Sequence, residues 1–253
     1  MPTQSENETP FFLPLLKKEK LTSDCYSFFF KRNGDERDFT PGQYFEIKLK
    51  IKNPDDRGDT RVFTVASSPT EREYFMITTR IIKSSFKIAL NNLQIGETAE
   101  FNGPWNDLNF DEGEIMPSVF LAGGIGVTPF HSIVKYVTNK NLKNQMILFA
   151  SWKKREEIVF HKFFVDANNH LENFVYVPIL TEENLDKSNW NGETGRISQE
   201  MIRKYVYDFL NSKYFIAGPP PMVKALKQMV IDMNISKENI ISEDFEGYIN
   251  DKF

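Results

Sequence analysis

The stretch from Ile115 to Val134 constrains the fold of this chain most, because about twenty consecutive residues carry no charge. A helix of that length can cross a bilayer. Two prolines and three glycines lie within the stretch, however, and they would interrupt a continuous helix. A buried strand, a glycine turn and the start of a helix account for the same residues better, so we predict no membrane span here.

The sequence before this stretch favours an antiparallel β-structure. Between residues 11 and 102, short runs rich in Phe, Tyr, Ile, Val and Thr alternate with polar turns such as 40–42 and 53–56. Short, evenly spaced runs are typical of an antiparallel barrel or sandwich. The predicted strands are 26–31, 43–51, 60–66, 73–81 and 98–101, and a helix is predicted over 84–90.

The sequence after the acidic connector 111–114 alternates between strands and helices. The predicted strands are 118–122, 145–152, 174–180, 214–217 and 240–242, and the predicted helices are 128–139, 156–168, 198–209 and 221–233. Such alternation predicts a parallel sheet covered on both faces, with ligands at the carboxyl ends of its strands. We therefore predict an N-terminal antiparallel β-barrel domain over 8–112 and a Rossmann-like parallel α/β domain over 115–253.

Composition excludes several classes of function. With 31 basic and 35 acidic residues, the net charge of −4 disfavours binding to nucleic acid through phosphate neutralisation. The single Cys25 and three scattered histidines cannot supply a disulfide, a thiolate zinc site or a four-cysteine iron-sulfur cluster. Redox chemistry would therefore need an organic cofactor. The polar N-terminus has no basic start followed by an apolar run, so we expect a cytoplasmic protein.

Two glycine turns indicate a nucleotide site. Residues 119–130 (VFLAGGIGVTPF) enter a glycine turn from a strand and leave it through a helix. Glycines allow positive φ and close approach of a diphosphate, and the helix N-terminus adds about half a positive charge. Residues 214–223 (YFIAGPPPMV) repeat the arrangement at the same sheet edge. Either turn alone could be an ordinary strand–helix connection, but the two together predict a crevice.

The first half carries a second set of anion-binding residue types. Arg61 and Phe63 share one face of a predicted strand, which suits a phosphate and an adjoining flat ring, and Thr64 lies next to them. Ser84 and Ser85 open the predicted helix, where a second phosphate could be received. The alternative interpretation is an edge-strand arginine and ordinary helix caps.

These motifs occur in the order seen in the ferredoxin-NADP reductase family, which the chain resembles over nearly its whole length. Residues 61–64 (RVFT) look like the flavin motif Arg-x-Tyr-Ser, and residues 84–90 (SSFKIAL) are similar to the helix start that receives the flavin diphosphate. Gly103 and Pro104 resemble the pair that closes the barrel. Residues 123–129 and 218–222 resemble the two nicotinamide-nucleotide loops, and 243–245 (EDF) resemble the segment that places an aromatic ring against the isoalloxazine.

Three positions depart from the family pattern. Phe63 replaces the usual tyrosine and lacks its hydroxyl. Ala217 stands where many relatives have a cysteine beside the nicotinamide. Trp105 and Asn106 follow Gly103 and Pro104 where a glycine-containing turn is commoner, so the loop under the flavin can differ.

The resemblance implies an FAD enzyme that takes a hydride from NAD(P)H and passes electrons to a protein acceptor such as ferredoxin or flavodoxin. It implies catalytic roles for Thr64, Glu243 and Phe245, with Phe245 moving aside to admit the nicotinamide; Tyr248, in the polar tail 246–253, is an alternative stacking ring. The predicted residues binding FAD and NADP or NAD are Arg61, Phe63, Thr64, Thr79, Ser84, Ser85, Gly123, Gly124, Gly126, Thr128, Pro129, Lys153, Arg196, Gly218, Pro219 and Met222. No metal is expected.

Two alternatives remain open. The chain could reduce small acceptors such as free flavin or ferric chelates, or it could be a non-catalytic flavin-binding subunit of a larger redox complex. Related subunits carry clustered cysteines near the C-terminus, and none follows Cys25, which disfavours the second. Lys153, Arg155 or Arg196 could receive the 2′-phosphate of NADPH, and the sequence slightly favours NADPH over NADH. Glu156 and Glu157 directly follow Arg155, however, and such a mixed run of charges is typical of a solvated surface. We expect a monomer.

Overall fold

The computed structural model describes residues 9–32, 34, 37–182 and 190–245. Its first half is an antiparallel sheet with the strand order β4-β3-β6-β1-β2-β5. A helix, α1 (Ser85–Asn92), lies between β5 and β6. The N–H of Ala66, just beyond β4, donates to the carbonyl of Met76 in β5 at 2.7 Å, so the two edges of the sheet meet and the sheet curls into a barrel. The six strands are β1 (Phe11–Lys20), β2 (Cys25–Lys31), β3 (Tyr44–Lys48), β4 (Thr60–Thr64), β5 (Tyr74–Arg80) and β6 (Thr98–Trp105).

Aromatic rings fill the barrel. Phe30, Phe45, Phe75 and Phe101 are fully buried, and the ring centroids of Phe45 and Phe75 lie 5.1 Å apart. Because side chains alternate along a strand, the residues of β3 on either side of Phe45 point away from this core. Packing therefore accounts for much of the high phenylalanine content of the chain, which has 23.

The second half is a parallel sheet with the strand order β10-β9-β8-β7-β11-β12. Alternate residues of β7 and β8 contribute to two separate apolar clusters, so both faces are buried. The chain returns from β10 to β11 beside β7, and this change of direction lies where parallel sheets bind ligands. The strands are β7 (Ser118–Gly123), β8 (Met146–Trp152), β9 (Phe174–Leu180), β10 (Glu193–Thr194), β11 (Lys213–Gly218) and β12 (Ile240–Asp244), and the helices are α2 (Thr128–Lys140), α3 (His161–His170), α4 (Gln199–Tyr205) and α5 (Pro220–Asp232).

The predicted fold class, an antiparallel β-barrel followed by a parallel α/β domain, is confirmed. Strand β1 was not predicted, because Pro14 within its run is typical of non-strand sequence; it pairs with Thr98 of β6. The helix predicted over 156–168 begins only at His161, because Phe160 adopts a left-handed conformation with φ 60°. The helix predicted over 198–209 ends at Tyr205.

The uncharged stretch divides as expected into β7, a 3-10 turn at Gly124–Val127 and the first half of α2. In the part of the chain that the structure describes, no helix combines the length and apolar character that crossing a bilayer requires.

One face of α2 binds the barrel through the loop 66–71. His131 Nδ1 donates to the carbonyl of Ala66 at 2.7 Å, and Ser132 Oγ donates to the carbonyl of Ser67 at 2.6 Å. Lys135 pairs with Glu71 at 2.6 Å, and Asn139 donates to Thr70 at 2.7 Å. Complete burial lowers the pKa of His131 to about 4, so its ring is neutral at physiological pH. The two domains are therefore joined by a buried, directional contact.

Candidate active site

A cavity of about 630 Å³ lies between the barrel and the carboxyl edge of the parallel sheet. Its wall includes parts of β3, β4, α1, α2 and β12 and residues of the loop after β6. Seven of the residues predicted from the sequence line it: Arg61, Phe63, Thr64, Thr79, Thr128, Glu243 and Phe245. The structure therefore brings the three predicted catalytic residues to one place.

Thr64 and Glu243 meet inside this cavity from different domains. Thr64 ends β4, and Glu243 pairs with Ala217 near the end of β12. The hydroxyl of Thr64 donates to Glu243 Oε1 at 3.4 Å, while Oε2 is buried and has no partner among the described residues. Burial and then the negative charge of Asp107 raise the pKa of Glu243 to about 8. The carboxyl group thus carries a proton at neutral pH.

Phe245 follows directly after β12. Its N–H donates to the carbonyl of Gly218 at 2.9 Å, which fixes it to the second glycine turn. Its half-buried ring lines the cavity and also packs against the apolar cluster beside β7. Tyr248 and the rest of the tail 246–253 lie outside the described residues.

The first residues of β4 form a cationic part of the cavity. Arg61 Nη1 donates to the carbonyls of Arg57 and Thr60, both at 2.7 Å, and Nη2 pairs with Asp55 at 2.9 Å. Its Nε is buried without a partner among the described residues. Arg57 and the buried Lys87 line the same cavity. Three cations and an orphaned guanidinium donor fit the phosphates of a dinucleotide.

Arg61 and Thr64 lie three residues apart on β4, which spans roughly 10 Å. Phe63, between them, is 8% exposed and packs on Phe86 at 5.7 Å between ring centroids. One strand therefore presents a cation, an aromatic surface and a hydroxyl in sequence along the cavity wall. This arrangement fits a ligand with a phosphate at one end and a flat ring at the other, as FAD has.

The start of α1 is already bound by another part of the barrel. Ser84 is the residue preceding the helix, and its buried hydroxyl has no partner among the described residues. The N–H of Ser85 donates to Asp55 Oδ2 at 2.9 Å, and the N–H of Asp55 donates to Ser85 Oγ at 2.9 Å. Neither serine lines the cavity. Their predicted role in binding a phosphate stays a prediction.

The two glycine turns pack against each other at the point where the sheet changes direction. A Cβ on Gly126 would lie 2.4 Å from the carbonyl oxygen of Ala217, and a Cβ on Gly123 would lie 2.2 Å from the sulfur of Met222. Gly124 differs, because its φ is +53° and open space surrounds the position of its missing side chain. Gly123 and Gly126 thus serve the contact between turns, and Gly124 offers the open approach to backbone.

The neighbouring predicted residues shape the helix starts. Thr128 Oγ1 donates to the carbonyl of Ile125 at 3.0 Å, and Pro129 is the second residue of α2. Pro219 immediately precedes α5, and Met222 is its third residue. Both helix N-termini therefore lie at the carboxyl edge of the parallel sheet, beside the two glycine turns.

The residues predicted to bind the 2′-phosphate of NADPH follow other strands of the parallel sheet, also at their carboxyl ends. Lys153 follows β8, Arg196 follows β10, and both are exposed. The guanidinium of Arg155 lies 5.4 Å from the centroid of the Trp190 ring. None of these cations lines the main cavity. The preference between NADPH and NADH therefore stays a prediction.

Several residues that line the cavity were not predicted from the sequence, among them Tyr44, Lys87 and Asp107. Tyr44 lies opposite Thr64 in the β3–β4 register, and burial and then Asp107 raise its pKa to about 12. Lys87 is the third residue of α1, one turn beyond Ser84, so helical spacing could have identified it. Tyr44 and Asp107 depend on strand register and loop path, for which the sequence carried no signal.

Comparisons with known proteins agree with this arrangement. The oxidoreductase FAD-binding domain family matches residues 12–110, and the oxidoreductase NAD-binding domain family matches residues 120–228. The first region contains the barrel, and the second contains the two glycine turns.

The individual relatives share only limited sequence identity with this chain. The glycine betaine monooxygenase reductase subunit of Chromohalobacter salexigens is 26% identical over 209 residues, which cover 82% of this chain and 56% of that protein. The chain spans about half the length of the curated relatives it matches.

Two solved structures share the fold. The cytochrome b5 reductase domain of Ulva prolifera nitrate reductase superimposes with a TM-score of 0.81 at 20% identity, covering 94% of this chain and 98% of that one. A ferredoxin NADP+ reductase from Neisseria gonorrhoeae with bound FAD and NADP superimposes with a TM-score of 0.78 at 20% identity, covering 93% and 98%.

Proposed function

The chain belongs to the ferredoxin-NADP reductase family of flavoproteins, and we propose that it transfers electrons from NADPH or NADH through FAD to a protein acceptor such as ferredoxin or flavodoxin. The meeting of Thr64 from the barrel with Glu243 and Phe245 from the nucleotide domain in one cavity carries this proposal. A bound flavin would supply the conversion between two-electron and one-electron transfer. The protein supplies position and electrostatics.

The chain's own residues divide the binding between the domains. Arg61, Lys87 and Arg57 would hold the flavin phosphates, and Phe63 would pack beside the ring. The open backbone at Gly124 would receive the diphosphate of the nicotinamide nucleotide.

Thr64 and Glu243 would hold a proton at the end of the cavity where the flavin ring would lie. A protonated Glu243 can donate from its unpartnered oxygen, and the Thr64 hydroxyl, which donates to the other oxygen of the same carboxyl, would hold that group in place. Phe245 would cover this end until a nicotinamide displaces it, which also excludes water.

A protein acceptor is supported by the relatives. The glycine betaine monooxygenase relative is named as a reductase subunit, which implies a partner in that system. By analogy, this chain would serve a soluble electron carrier or an oxygenase component. A cytoplasmic location and a monomeric state stay predictions from the sequence.

Steady-state turnover tests the proposal directly. NADPH and NADH are each compared with a one-electron dye, with purified ferredoxin and flavodoxin, and with free flavin or a ferric chelate as acceptors. We expect turnover with the dye and faster turnover with one carrier protein than with the small acceptors. Turnover of the small acceptors alone would replace the proposed partner, and no oxidation of either nucleotide would reject the proposed function.

A further inference from the structure

The carboxylate of Asp55 occupies the donors at the phosphate end of the cavity. Asp55 Oδ2 accepts from the N–H of Ser85 at 2.9 Å, and Oδ1 accepts from Arg61 Nη2 at 2.9 Å. Oδ1 also accepts from the N–H of Arg57 at 3.1 Å. Of these donors, Arg61 is proposed to hold the flavin phosphates, and the sequence predicted the same role for the start of α1 at Ser85. An acidic side chain of the protein thus occupies an anion site.

A phosphate and this carboxylate compete for the same groups. Each donor hydrogen makes one strong bond, and two anions within a few ångströms repel each other. The pKa of Asp55 is lowered to about 2, chiefly by the Ser85 N–H, so the side chain stays ionised throughout the physiological range. Protonation of Asp55 therefore cannot free these donors for a phosphate, whereas movement of the Asp55 side chain away from them can.

The segment that carries Asp55 can be displaced without opening the core. It connects β3 to β4, and Asn53, Pro54 and Asp56 within it are exposed. The Asp55 side chain is itself 29% exposed. Two backbone hydrogen bonds close the loop, from Leu49 to Asp59 at 3.0 Å and from Gly58 to Asp55 at 2.9 Å. Leu49 and Ile51 at the start of the loop pack on the barrel core, but residues 52–58 include no apolar core residue, so an outward shift of 52–58 alone costs little hydrophobic contact.

We propose that Asp55 sets the flavin affinity of this protein by competing, through its carboxylate, with the flavin phosphates for Ser85 and Arg61. The inference rests on the proposed flavin site. It predicts that binding a phosphorylated flavin requires residues 52–58 to move outward, whereas binding riboflavin, which has no phosphate, does not.

Titration of the flavin-stripped full chain tests this inference. FAD, FMN and riboflavin are each titrated into the parent, Asp55→Asn and Asp56→Asn, with quenching of flavin fluorescence as the signal. Asparagine keeps an oxygen that can accept from Ser85 but loses the charge. Asp56→Asn is the matched control, since it removes the same charge from the adjacent exposed residue.

We expect Asp55→Asn to lower the Kd for FAD and FMN by roughly five- to twentyfold and to leave riboflavin within about twofold. Asp56→Asn should change all three by less than about twofold. If Asp55→Asn folds poorly, Asp55→Ser keeps an oxygen acceptor for Ser85 and should show the same direction.

Other outcomes overturn the inference. Weaker FAD binding by Asp55→Asn would show that Asp55 positions Arg61 for the phosphates instead of competing with them. Equal effects of Asp55→Asn and Asp56→Asn would show that the change in flavin affinity comes from general surface charge. Flavin binding with no effect of Asp55→Asn rejects the competition alone, and no flavin binding by the parent or either variant rejects the proposed flavin site as well.

Discussion

Thr64 and Glu243 lie 179 positions apart in the chain, yet the hydroxyl of one donates to the carboxyl of the other at 3.4 Å across the domain boundary. The proton-holding group of the cavity comes from the nucleotide domain, and its hydrogen-bond partner comes from the barrel. This part of the site therefore forms only when the two domains are packed together.

The pH dependence of stability should report the buried Glu243. Its pKa is raised from 4.5 to about 8 on folding, so between these values the folded chain holds a proton that the unfolded chain has lost. Stability contributed by this group is therefore fully present below about pH 4.5 and declines as the pH rises to 8. We expect Glu243→Gln to raise Tm by about 10 °C at pH 9 and to match the parent at pH 4.5. Thermal unfolding at both pH values measures this.

The matched control for that variant is Glu238→Gln, which changes an exposed glutamate just before β12. It should show no gain that depends on pH. An equal Tm difference between parent and Glu243→Gln at both pH values would contradict the buried, protonated carboxyl.

Arg61→Ala should weaken FAD binding by roughly ten- to a hundredfold, because a charge-assisted contact to phosphate is lost. Arg72→Ala is the control, since Arg72 is 66% exposed and pairs with Asp38 on the surface. Flavin content after gel filtration and a titration of the stripped protein give the measurement. Unchanged flavin retention in Arg61→Ala would reject a phosphate-binding role.

Gly124→Val should leave flavin bound and abolish its reduction by NAD(P)H, because the branched side chain would fill the open approach to the backbone. Gly96→Val controls for backbone strain. Gly96 also has a positive φ, +90°, and open space around its Cβ position, but it lies in a barrel turn. Anaerobic reduction followed by absorbance distinguishes the two variants. Loss of flavin from Gly124→Val would mean that the turn serves to hold the domains together.

Phe245→Ser should retain FAD, tighten the oxidised nucleotide and slow its release, and weaken discrimination between NADPH and NADH. The physical reason is free access of the nicotinamide to the space that the ring covers. Titration with NADP+ and NAD+, together with kcat/KM for both reduced nucleotides, measures these effects. A lower Tm with unchanged nucleotide affinity and preference would show that Phe245 only fills the edge of the sheet.

Local patterns predicted most of the fold. The glycine turn before α2 and the proline at its second position predicted its first residue, Thr128, and apolar runs predicted the strands of the parallel sheet. Strand β1 was not predicted because it contains Pro14. Helix α3 begins later than the sequence pattern predicted because Phe160 is left-handed. Both departures arise from tertiary contacts that override a local preference.

The site was predictable one residue at a time but not as a set of contacts. Family resemblance identified Thr64 and Glu243 separately, and their hydrogen bond depends on how the domains pack. Asp55 was identified only as part of a polar turn, because its bonds to Ser85 join residues thirty positions apart. Contacts of this kind follow from the path of a loop, which side-chain periodicity does not specify.

The bonds between α2 and the loop 66–71 should keep the two halves in place even without the covalent connection between them. Glu112 pairs with Lys140 at 2.8 Å and Glu114 pairs with Lys213, so both sides of the exposed Gly113 are anchored to the α/β domain. A protease that cuts at Gly113 would therefore convert the chain into a non-covalent heterodimer. The nicked protein should still elute from a sizing column as one particle, which makes this turn a natural place to divide the molecule into complementary fragments.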